Sequence, residues 1–471
     1  MSTIVETREY QQQILEILKS FFPEKHAIVE LDCGLGKRVL TYLILKQWFN
    51  AYRVLILLHS TTSYLETIHY FKEEYGDLKG FAYFSSRNPG RMRESILRNE
   101  SNQFIAATPQ TFANTFNKMA NKPHFDIVLI NEVDKIVRRQ SQHNRTLIFP
   151  YNTLIPFFLE HKTWLIGLTG TIRDNHILYN PQLDKLSIQS ELVTLDNNIP
   201  RLRLIQMDTL MRKSDVKEYI QKTTIKKHNV TPDTPTQQIL ETINEIISSL
   251  REEIIEKTLE ENPSLISDID KSQLPMVAGM VGGEESPKYQ GLLLIRKYVT
   301  AMQPHRYKRF LYRLKEYGIT KELIMAIPQI PAKILELNKI IINYKDKIVI
   351  LCSYINTARD IEESTTKMGL PTFVITGQVK NKSKILESFK SIQSKAVLIM
   401  TSVGERDIDI PQAKLLLVYD VVNTSKTMYQ RFKRTRGGEV RCLCYGDTFE
   451  ERKVDRLFDN ILKRYPWSII N

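Results

Sequence analysis

Residues 27 to 39 read Ala-Ile-Val-Glu-Leu-Asp-Cys-Gly-Leu-Gly-Lys-Arg-Val, and this stretch decides the fold of the first part of the chain. Its apolar, β-branched start predicts a strand, its two glycines predict a loop, and the apolar spacing that begins at Leu40 predicts a helix. Such a turn directs backbone N–H groups and the positive end of a helix dipole at one point, where Lys37 adds a full charge. The pattern therefore predicts a phosphate site made by Gly34, Gly36 and Lys37.

The residue after Lys37 departs from the usual phosphate-loop pattern. In that pattern the lysine is followed by Ser or Thr, whose hydroxyl binds Mg²⁺. Here Arg38 occupies the position, and its side chain has no oxygen to offer a metal. The guanidinium could instead take up part of the space of the cation, so that nucleotide binding persists without turnover. The loop is thus predicted to keep a phosphate site and to lose one metal ligand.

Length and composition narrow the class of protein. With 471 residues, 42% of them hydrophobic, the chain can form two or three domains. Its net charge of +13 favours a polyanionic partner such as nucleic acid, although many proteins are basic for solubility alone. The four cysteines form no Cys-x-x-Cys pair, which argues against zinc. An apolar run of about 18 residues is absent from the sequence, so we expect a soluble, cytoplasmic, nucleoid-associated protein without a membrane partner.

Four apolar runs after the loop predict buried parallel strands, each followed by polar residues. They are Val54 to Leu58, Phe104 to Ala107, Ile127 to Ile130 and Trp164 to Leu168. Helical patterns between them indicate a doubly wound α/β sheet, which binds ligands at the carboxyl ends of its strands. Ser60, Thr108 and Gln110 follow such strands and are suited to the phosphate oxygens of a nucleic-acid strand.

The helix predicted over residues 8 to 20, upstream of the loop, has two interpretations. It is either a packing helix or the element that brings Gln11 to an adenine edge, and the sequence leaves both open.

Between about residues 213 and 335 strand runs vanish and long helical patterns dominate. The helix pair predicted from Tyr289 to Tyr317 carries many basic residues and few acids. We therefore predict domains at 1–210, 211–335 and 336–471, the middle one an all-helical insertion. Its candidate DNA-binding residues are Arg296, Lys297, Arg306, Lys308, Arg309 and Arg313. A solvated charged face is the alternative interpretation of this basic surface.

A second α/β pattern follows, with strands predicted at residues 347–351, 373–375, 396–400 and 415–418. Gly377, Gln378 and Thr401 lie at the ends of two of them and are further candidates for contacts with a nucleic-acid strand. In the last predicted helix, the run Glu-Arg-Lys at 451 to 453 is similar to a nuclease triplet, but Leu457 stands where the following acid would be needed. We interpret the run as an ordinary helix surface.

These motifs together resemble a superfamily 2 helicase core, and within that superfamily the archaeal Hef and Fanconi-anaemia M group. Arg-x-Tyr-Gln at 8 to 11 resembles the adenine motif of that group, and Ala-Thr-Pro-Gln-Thr at 107 to 111 is identical to its strand-contact motif. Gly-Leu-Thr-Gly at 167 to 170 falls at its third motif, and residues 401 to 411 are close to Thr-Ser-Val-x-Glu-Glu-Gly-Leu-Asp-Ile-Pro. The resemblance implies two RecA-like α/β domains with an inserted helical domain.

The resemblance also implies roles for particular residues. Glu132 would be the general base and Arg434 the first arginine finger. The nucleotide-binding residues would be Arg8, Gln11, Gly34, Gly36, Lys37, Arg38, Asp409, Gln430 and Arg431. The implied partners are forked, branched or duplex DNA and a separately encoded XPF-type nuclease of DNA repair; RNA is a minor alternative.

The departures from this family pattern fall mainly where hydrolysis would occur. Its Asp-Glu-x-His is Asn-Glu-Val-Asp at 131 to 134, so an amide replaces the carboxylate that holds Mg²⁺, and Gly437 replaces the second arginine finger. An arginine finger contributes about 10³- to 10⁵-fold in rate. We therefore expect no protein-bound metal site, ATP or ADP as the nucleotide if one binds, and Mg²⁺ only if hydrolysis is retained. The main hypothesis is a helicase-like DNA-binding protein with little or no ATP hydrolysis. The alternative is an active helicase in which Asp134 recruits the metal from a shifted position.

Overall fold

The computed structural model describes residues 7–48, 51–75, 80–138, 146–172, 176–180, 185–189, 191–261, 286–301, 308–401, 413–421, 425–435 and 437–470. The chain divides into two compact units, residues 1–220 and 221–471. Each unit contains a parallel sheet that has seven strands in the described ranges. The predicted division into three domains, with boundaries after 210 and 335, stays a prediction.

The strands of the first unit are β1 (Ala27–Glu30), β2 (Val54–Leu58), β3 (Phe81–Phe84), β4 (Phe104–Ala107), β5 (Ile127–Asn131), β6 (Val137–Arg138), β7 (Thr146–Leu147), β8 (Trp164–Thr169), β9 (His176–Asn180), β10 (Lys185–Gln189) and β11 (Arg203–Ile205). The main sheet has the order β11-β1-β8-β5-β2-β4-β3, while β6 pairs with β7 and β9 with β10. Every residue of β2 and β8 is buried, as expected for strands with helices on both faces.

The helices of the first unit are α1 (Glu9–Phe21), α2 (Lys37–Gln47), α3 (Thr61–Tyr75), α4 (Gly90–Arg98), α5 (Pro109–Phe116), α6 (Tyr151–Glu160), α7 (Glu191–Asn198) and α8 (Met207–Lys213). Two short 3₁₀ turns, Val133–Ile136 and Asp215–Tyr219, complete the described elements. The strands predicted from the four apolar runs form the centre of this sheet, and β1 leads through the glycine loop into α2 as predicted.

The strands of the second unit are β12 (Thr223–Val230), β13 (Ile348–Cys352), β14 (Thr372–Ile375), β15 (Val397–Thr401), β16 (Leu415–Val418), β17 (Glu439–Tyr445) and β18 (Ile469–Ile470). Their order is β14-β15-β13-β16-β17-β12-β18. The helices are α9 (Thr234–Glu261), α10 (Ser286–Ala301), α11 (Lys308–Glu316), α12 (Lys321–Met325), α13 (Ala332–Asn343), α14 (Ile355–Lys367), α15 (Lys382–Ser391), α16 (Ser425–Phe432) and α17 (Phe449–Arg464).

Strand β12 corrects the expectation that strands vanish between residues 213 and 335. It pairs in parallel with β17, and only three of its residues, Thr223, Ile225 and Val230, are buried. The polar run Lys-Lys-His-Asn at 226 to 229 hides the strand in the sequence. The strand forms because β17 supplies a backbone partner for every residue from Thr224 to Val230.

Helices α9 to α12, here called the helical arm, pack around their own apolar core. Its centre includes Ile243 of α9, Leu292 of α10 and Leu314 of α11, and it continues to Tyr445 of β17. The arm therefore packs against the carboxyl end of one strand of the second sheet. Among the described residues, none of the helices is long and apolar enough to span a membrane.

Candidate nucleotide and nucleic-acid sites

The glycine loop between β1 and α2 has the backbone that a phosphate site needs. Gly34 and Gly36 have φ of +86° and +73°, a region that L side chains rarely adopt. A Cβ on Gly36 would lie 3.0 Å from Gln11 Nε2, so the glycine also makes room for α1. The Tyr10 hydroxyl donates to the Leu35 carbonyl at 2.7 Å and fixes the loop to that helix.

Lys37 begins α2 and lies among acidic groups. Its Nζ donates to the Leu31 carbonyl at 3.3 Å and is 4.0 Å from Glu132 Oε1. Burial alone would lower the pKa of Lys37, but electrostatic interactions with Cys33, Glu132, Asp32 and Asp134 raise it overall. The lysine therefore stays cationic at neutral pH.

Gly170 follows β8. The sequence placed this glycine in the third motif but did not predict its role. A Cβ there would lie 3.0 Å from Lys37 Nζ and 3.5 Å from Cys33 Sγ. Glycine at this position therefore leaves space for the lysine side chain.

The start of α1 has a polar network that ties the helix to the rest of the first unit. Gln11 is buried, and its Oε1 accepts from the backbone N–H of Arg8 at 3.1 Å, while the neighbouring Tyr10 belongs to the core. The Arg8 guanidinium lies 4.1 Å from the ring centroid of Tyr219, and Asp215 Oδ1 accepts from the Tyr10 N–H at 2.8 Å. Asp215 and Tyr219 belong to the 3₁₀ turn Asp215–Tyr219. Sequence reasoning missed its contact with α1, since about 200 residues separate the two. Adenine binding by Arg8 and Gln11 stays a prediction.

Arg38 forms an ion pair with Glu66 of α3. Both side chains are about one-third exposed. The guanidinium is thus held by a neighbouring helix, which weakens the expectation that it takes up the space of a cation.

Asn131 is the last residue of β5, and its side-chain Oδ1 is buried without a hydrogen-bond partner among the described residues. Glu132 follows in the left-handed region at φ +56° and caps the 3₁₀ turn that begins at Val133. Asp134 is buried and accepts from the Thr169 hydroxyl at 2.6 Å, so its carboxylate is bonded to the end of β8.

These residues do not fit the usual Mg²⁺ site of a phosphate-loop protein. The two positions that would supply ligands hold a neutral amide and an arginine paired with Glu66. Within the described ranges, no group of three or more His, Cys, Asp or Glu side chains could hold a metal ion. The expectation that the chain lacks a protein-bound metal site stays a prediction.

The predicted strand-contact residues lie at the carboxyl edges of their sheets. In the first unit, Ser60 Oγ accepts from the Ser63 N–H at 3.1 Å, the Thr108 hydroxyl donates to Thr111 at 2.9 Å, and Gln110 is exposed on α5.

In the second unit, Gly377 and Gln378 follow β14, and Thr401 is the buried last residue of β15. The same edge contains Asp420, whose carboxylate accepts from the backbone N–H of Ser353 at 2.7 Å. Sequence reasoning had not selected that pair.

The basic residues of the helical arm have different surroundings. Arg296 donates to Asn244 Oδ1 at 2.7 Å and covers the Phe449 ring, with its guanidinium carbon 3.9 Å from the ring centroid. Lys297 Nζ lies 5.3 Å from the ring centroid of Tyr354. Arg313 is exposed on α11. Lys308 and Arg309 belong to the same helix, but their side chains lie outside the described part of the structure, and Arg306 lies outside the described residues altogether.

The remaining candidates belong to the second unit. Gln430 and Arg431 lie on α16, and Arg431 is buried with 1% exposure. Arg434 is in a 3₁₀ turn at 433–435, but its side chain is outside the description, as is the whole of Asp409. Gly437 has φ +94°. The roles of these residues stay predictions.

Each of the two units contains a stretch that matches a known protein family. Residues 4–174 match the family described as type III restriction enzyme, res subunit, and residues 332–438 match the helicase conserved C-terminal domain. The chain carries the two domains of a superfamily 2 helicase. The predicted superfamily is thereby confirmed, whereas membership of the Fanconi-anaemia M type and the loss of function of the altered motifs stay predictions.

The fold is that of a solved helicase. The helicase domain of Hef from Pyrococcus furiosus superposes with a TM-score of 0.59 over 96% of this chain and 98% of that chain, at 18% sequence identity. This likeness confirms the predicted fold class of RecA-like α/β domains.

Curated relatives match over shorter stretches. The ATP-dependent RNA helicase DBP3 of Gibberella zeae is 31% identical over 121 residues, which cover 25% of this chain and 21% of the relative. An ATP-dependent RNA helicase candidate of Methanocaldococcus jannaschii is 27% identical over 139 residues, which cover 25% of this chain and 18% of the relative. The chain thus spans about a fifth of the length of these two relatives.

Proposed function

We propose that the chain is a helicase-like protein that binds branched or forked DNA and hydrolyses little or no ATP. The observation that carries the proposal is the buried amide oxygen of Asn131, which ends β5 without a described partner where the family has a metal-binding carboxylate. Phosphoryl transfer depends on positioning and on neutralising the charge of the phosphates, which Mg²⁺ bridges. A neutral amide supplies no charge for that metal.

The phosphate loop supports nucleotide binding without turnover. Gly34, Gly36 and the cationic Lys37 retain the geometry of a phosphate site. ATP or ADP is therefore the proposed ligand, with Mg²⁺ required only in a hydrolysing protein. Arg38, paired with Glu66, offers no hydroxyl for a metal.

DNA is the proposed partner because small polar groups line the carboxyl edge of each sheet and the net charge is +13. Such groups contact phosphates and do not read base sequence. A role in DNA repair beside an XPF-type nuclease, in the cytoplasm and near the nucleoid, extends the resemblance to the Hef group. Since the two curated relatives described above are named RNA helicases, RNA is the competing ligand in the test.

An active ATP-dependent DNA helicase is the second candidate, because one observation favours it. Glu132, the expected general base, is retained, and its Oε1 lies 4.0 Å from Lys37 Nζ. The Asp134 carboxylate is present nearby but is bonded to Thr169.

A steady-state ATPase assay with Mg²⁺ and forked DNA, or RNA of the same length, separates the candidates. We expect turnover near background together with measurable binding of forked DNA. DNA-stimulated turnover of about 1 s⁻¹ or faster, the lower range of typical enzymes, would establish the active helicase instead. Tighter binding of RNA than of DNA would reassign the partner.

A further inference from the structure

Basic side chains from three helices of the second unit meet where the helical arm joins the sheet. We call this set the junction strip, and it consists of Arg251 of α9, Arg296 and Lys297 of α10, and Arg452, Lys453 and Arg456 of α17. Arg296 lies in the electrostatic field of Arg251, Arg452 and Arg456, while Lys453 lies in that of Lys297 and Arg296. The strip therefore joins residues that are about 200 positions apart in the chain.

The strip reaches the carboxyl edge of the second sheet. Lys453 Nζ donates to the carbonyl of Val421, just after β16, at 3.2 Å. Lys297 Nζ lies 5.3 Å from the ring centroid of Tyr354, just after β13. Cations of the arm and of the last helix thus lie beside the edge at which sheets of this kind bind their ligands.

Three acids of α17 pair with lysines outside the strip. Glu451 and Asp455 both pair with Lys227 of β12, at 2.7 and 2.8 Å. Glu450 is buried and pairs with Lys333. Residues four positions apart share a helix face, so α17 has one face that presents Glu451 and Asp455 and another that presents Arg452 and Arg456.

Burial and neighbouring cations lower the pKa of two members of the strip. Burial, with Arg452, Arg251 and Arg456 nearby, lowers the pKa of Arg296 to about 10. Burial and the charge of Lys297 lower the pKa of Lys453 to about 8, although Glu450 and Asp420 act in the opposite direction. A bound anion would relieve this repulsion. Lys453 is partly buried and donates to the Val421 carbonyl, so the sequence-based interpretation of the run Glu-Arg-Lys at 451 to 453 as an ordinary helix surface does not hold for this lysine.

We propose that the junction strip binds backbone phosphates of a duplex DNA arm. The inference rests on the proposed DNA binding and adds a site to it. Single-stranded nucleic acid is usually held by bases stacked on open aromatic rings. Here one face of the Phe449 ring has the Arg296 guanidinium against it at 3.9 Å, and Lys297 Nζ lies 5.3 Å from the Tyr354 centroid, so the strip presents charges beside these rings. That chemistry suits a duplex, whose bases are already stacked.

The test compares two double variants that each remove two positive charges. Arg452→Gln with Arg456→Gln removes two exposed cations of the strip. Lys367→Gln with Lys463→Gln is the matched control, because both lysines are exposed near the ends of helices that run from the carboxyl edge back to the amino edge of the same sheet. The readout is the affinity for a blunt duplex and for a single strand of equal length, measured by fluorescence anisotropy between 50 and 200 mM salt.

We expect the strip variant to bind the duplex about tenfold more weakly, with a log–log salt slope reduced by roughly 1 to 2, since each lost phosphate contact removes about 0.9. The affinity of the strip variant for the single strand should change less than twofold. The affinity of the control variant for the duplex and for the single strand should also change less than twofold. The single charge reversal Arg456→Glu should show the same selective loss, and it keeps the test available if the double variant folds poorly.

Equal losses in the strip variant and the control would overturn the strip while leaving DNA binding intact. Unchanged duplex affinity in the strip variant would do the same. Absence of DNA binding by the unaltered protein would overturn both the strip and the proposed function.

Discussion

Two lysines lie against the carboxyl edges of the two sheets, and their surroundings differ. Lys37, in the first unit, donates to Leu31 at 3.3 Å and is 4.0 Å from Glu132. Lys333, in the second unit, is fully buried, with its Nζ 2.7 Å from Glu450 Oε1 and within 3.1 and 3.3 Å of the carbonyls of Tyr419 and Thr300.

The difference shows how one fold uses the same charge for two purposes. An ammonium group has three protons to donate, and Lys333 gives all three to hydrogen bonds within the protein. Lys37 makes one hydrogen bond that the structure describes, so it retains donors for a ligand. The phosphate loop is thus organised for an external anion, whereas the second lysine stabilises the junction of α13, α17 and the arm.

The strongest test of this comparison removes each lysine in turn. Lys333→Met should lower the free energy of unfolding by about 3 to 5 kcal/mol, because it leaves Glu450 buried without its cation. Lys37→Met should cost about 1 kcal/mol or less, the value of an ordinary hydrogen bond, while abolishing nucleotide binding. Urea denaturation followed by circular dichroism measures the two free energies of unfolding, and titration with ATP or ADP measures nucleotide binding.

The double variant Lys333→Met with Glu450→Leu is the control for the buried pair. Replacing both partners by apolar groups should restore most of the lost stability, since it removes the uncompensated charge. Equal losses for Lys37→Met and Lys333→Met would show that the two lysines do not differ in the way described.

The second test restores the metal ligands beside Lys37. Arg38→Thr with Asn131→Asp should raise ATP turnover at least tenfold above the unaltered protein, about 1.4 kcal/mol in the barrier, because it returns a hydroxyl and a carboxylate to the two ligand positions. The same double variant with Lys37→Ala should remain at background. No gain in a folded protein would mean that the loss of activity lies elsewhere than in the metal ligands.

Gly437 is left unchanged in this test. Its φ of +94° would strain any side chain, so an arginine at this position would disturb the backbone as well as add a charge.

The sequence predicts best those parts of the molecule that repeat a local pattern. Strand β2 is apolar throughout and β8 is apolar up to Leu168, so their burial could be predicted, and the two glycines followed by Lys37 predicted the loop that leads into α2. Strand β12 was missed because its residues are mostly polar and it forms by pairing with β17, which is distant in the sequence.

Sequence reasoning selected Arg296 and Lys297 of the junction strip, but it missed the other four members and the Lys333–Glu450 pair for a related reason. Charged residues are mostly exposed, so a buried lysine or a set of cations gathered from three helices leaves no sequence signal. Likewise Asp215, which accepts from the Tyr10 N–H, is about 200 residues away from α1. Contacts of this kind depend on tertiary structure and not on local spacing.

The smallest effect concerns two tyrosine hydroxyls, one in each unit. The Tyr10 hydroxyl donates to the Leu35 carbonyl in the phosphate loop at 2.7 Å, and the Tyr429 hydroxyl bonds Ser468 Oγ at 2.7 Å. Each bond should contribute about 0.5 to 1.5 kcal/mol, so Tyr10→Phe and Tyr429→Phe should lower the free energy of unfolding by similar amounts. Only Tyr10→Phe frees the loop from α1, and it should therefore weaken ATP or ADP binding about threefold to tenfold. Isothermal titration of both variants decides the point. An equal loss of nucleotide affinity in Tyr429→Phe would mean that the Tyr10 bond acts through stability alone and does not position the loop.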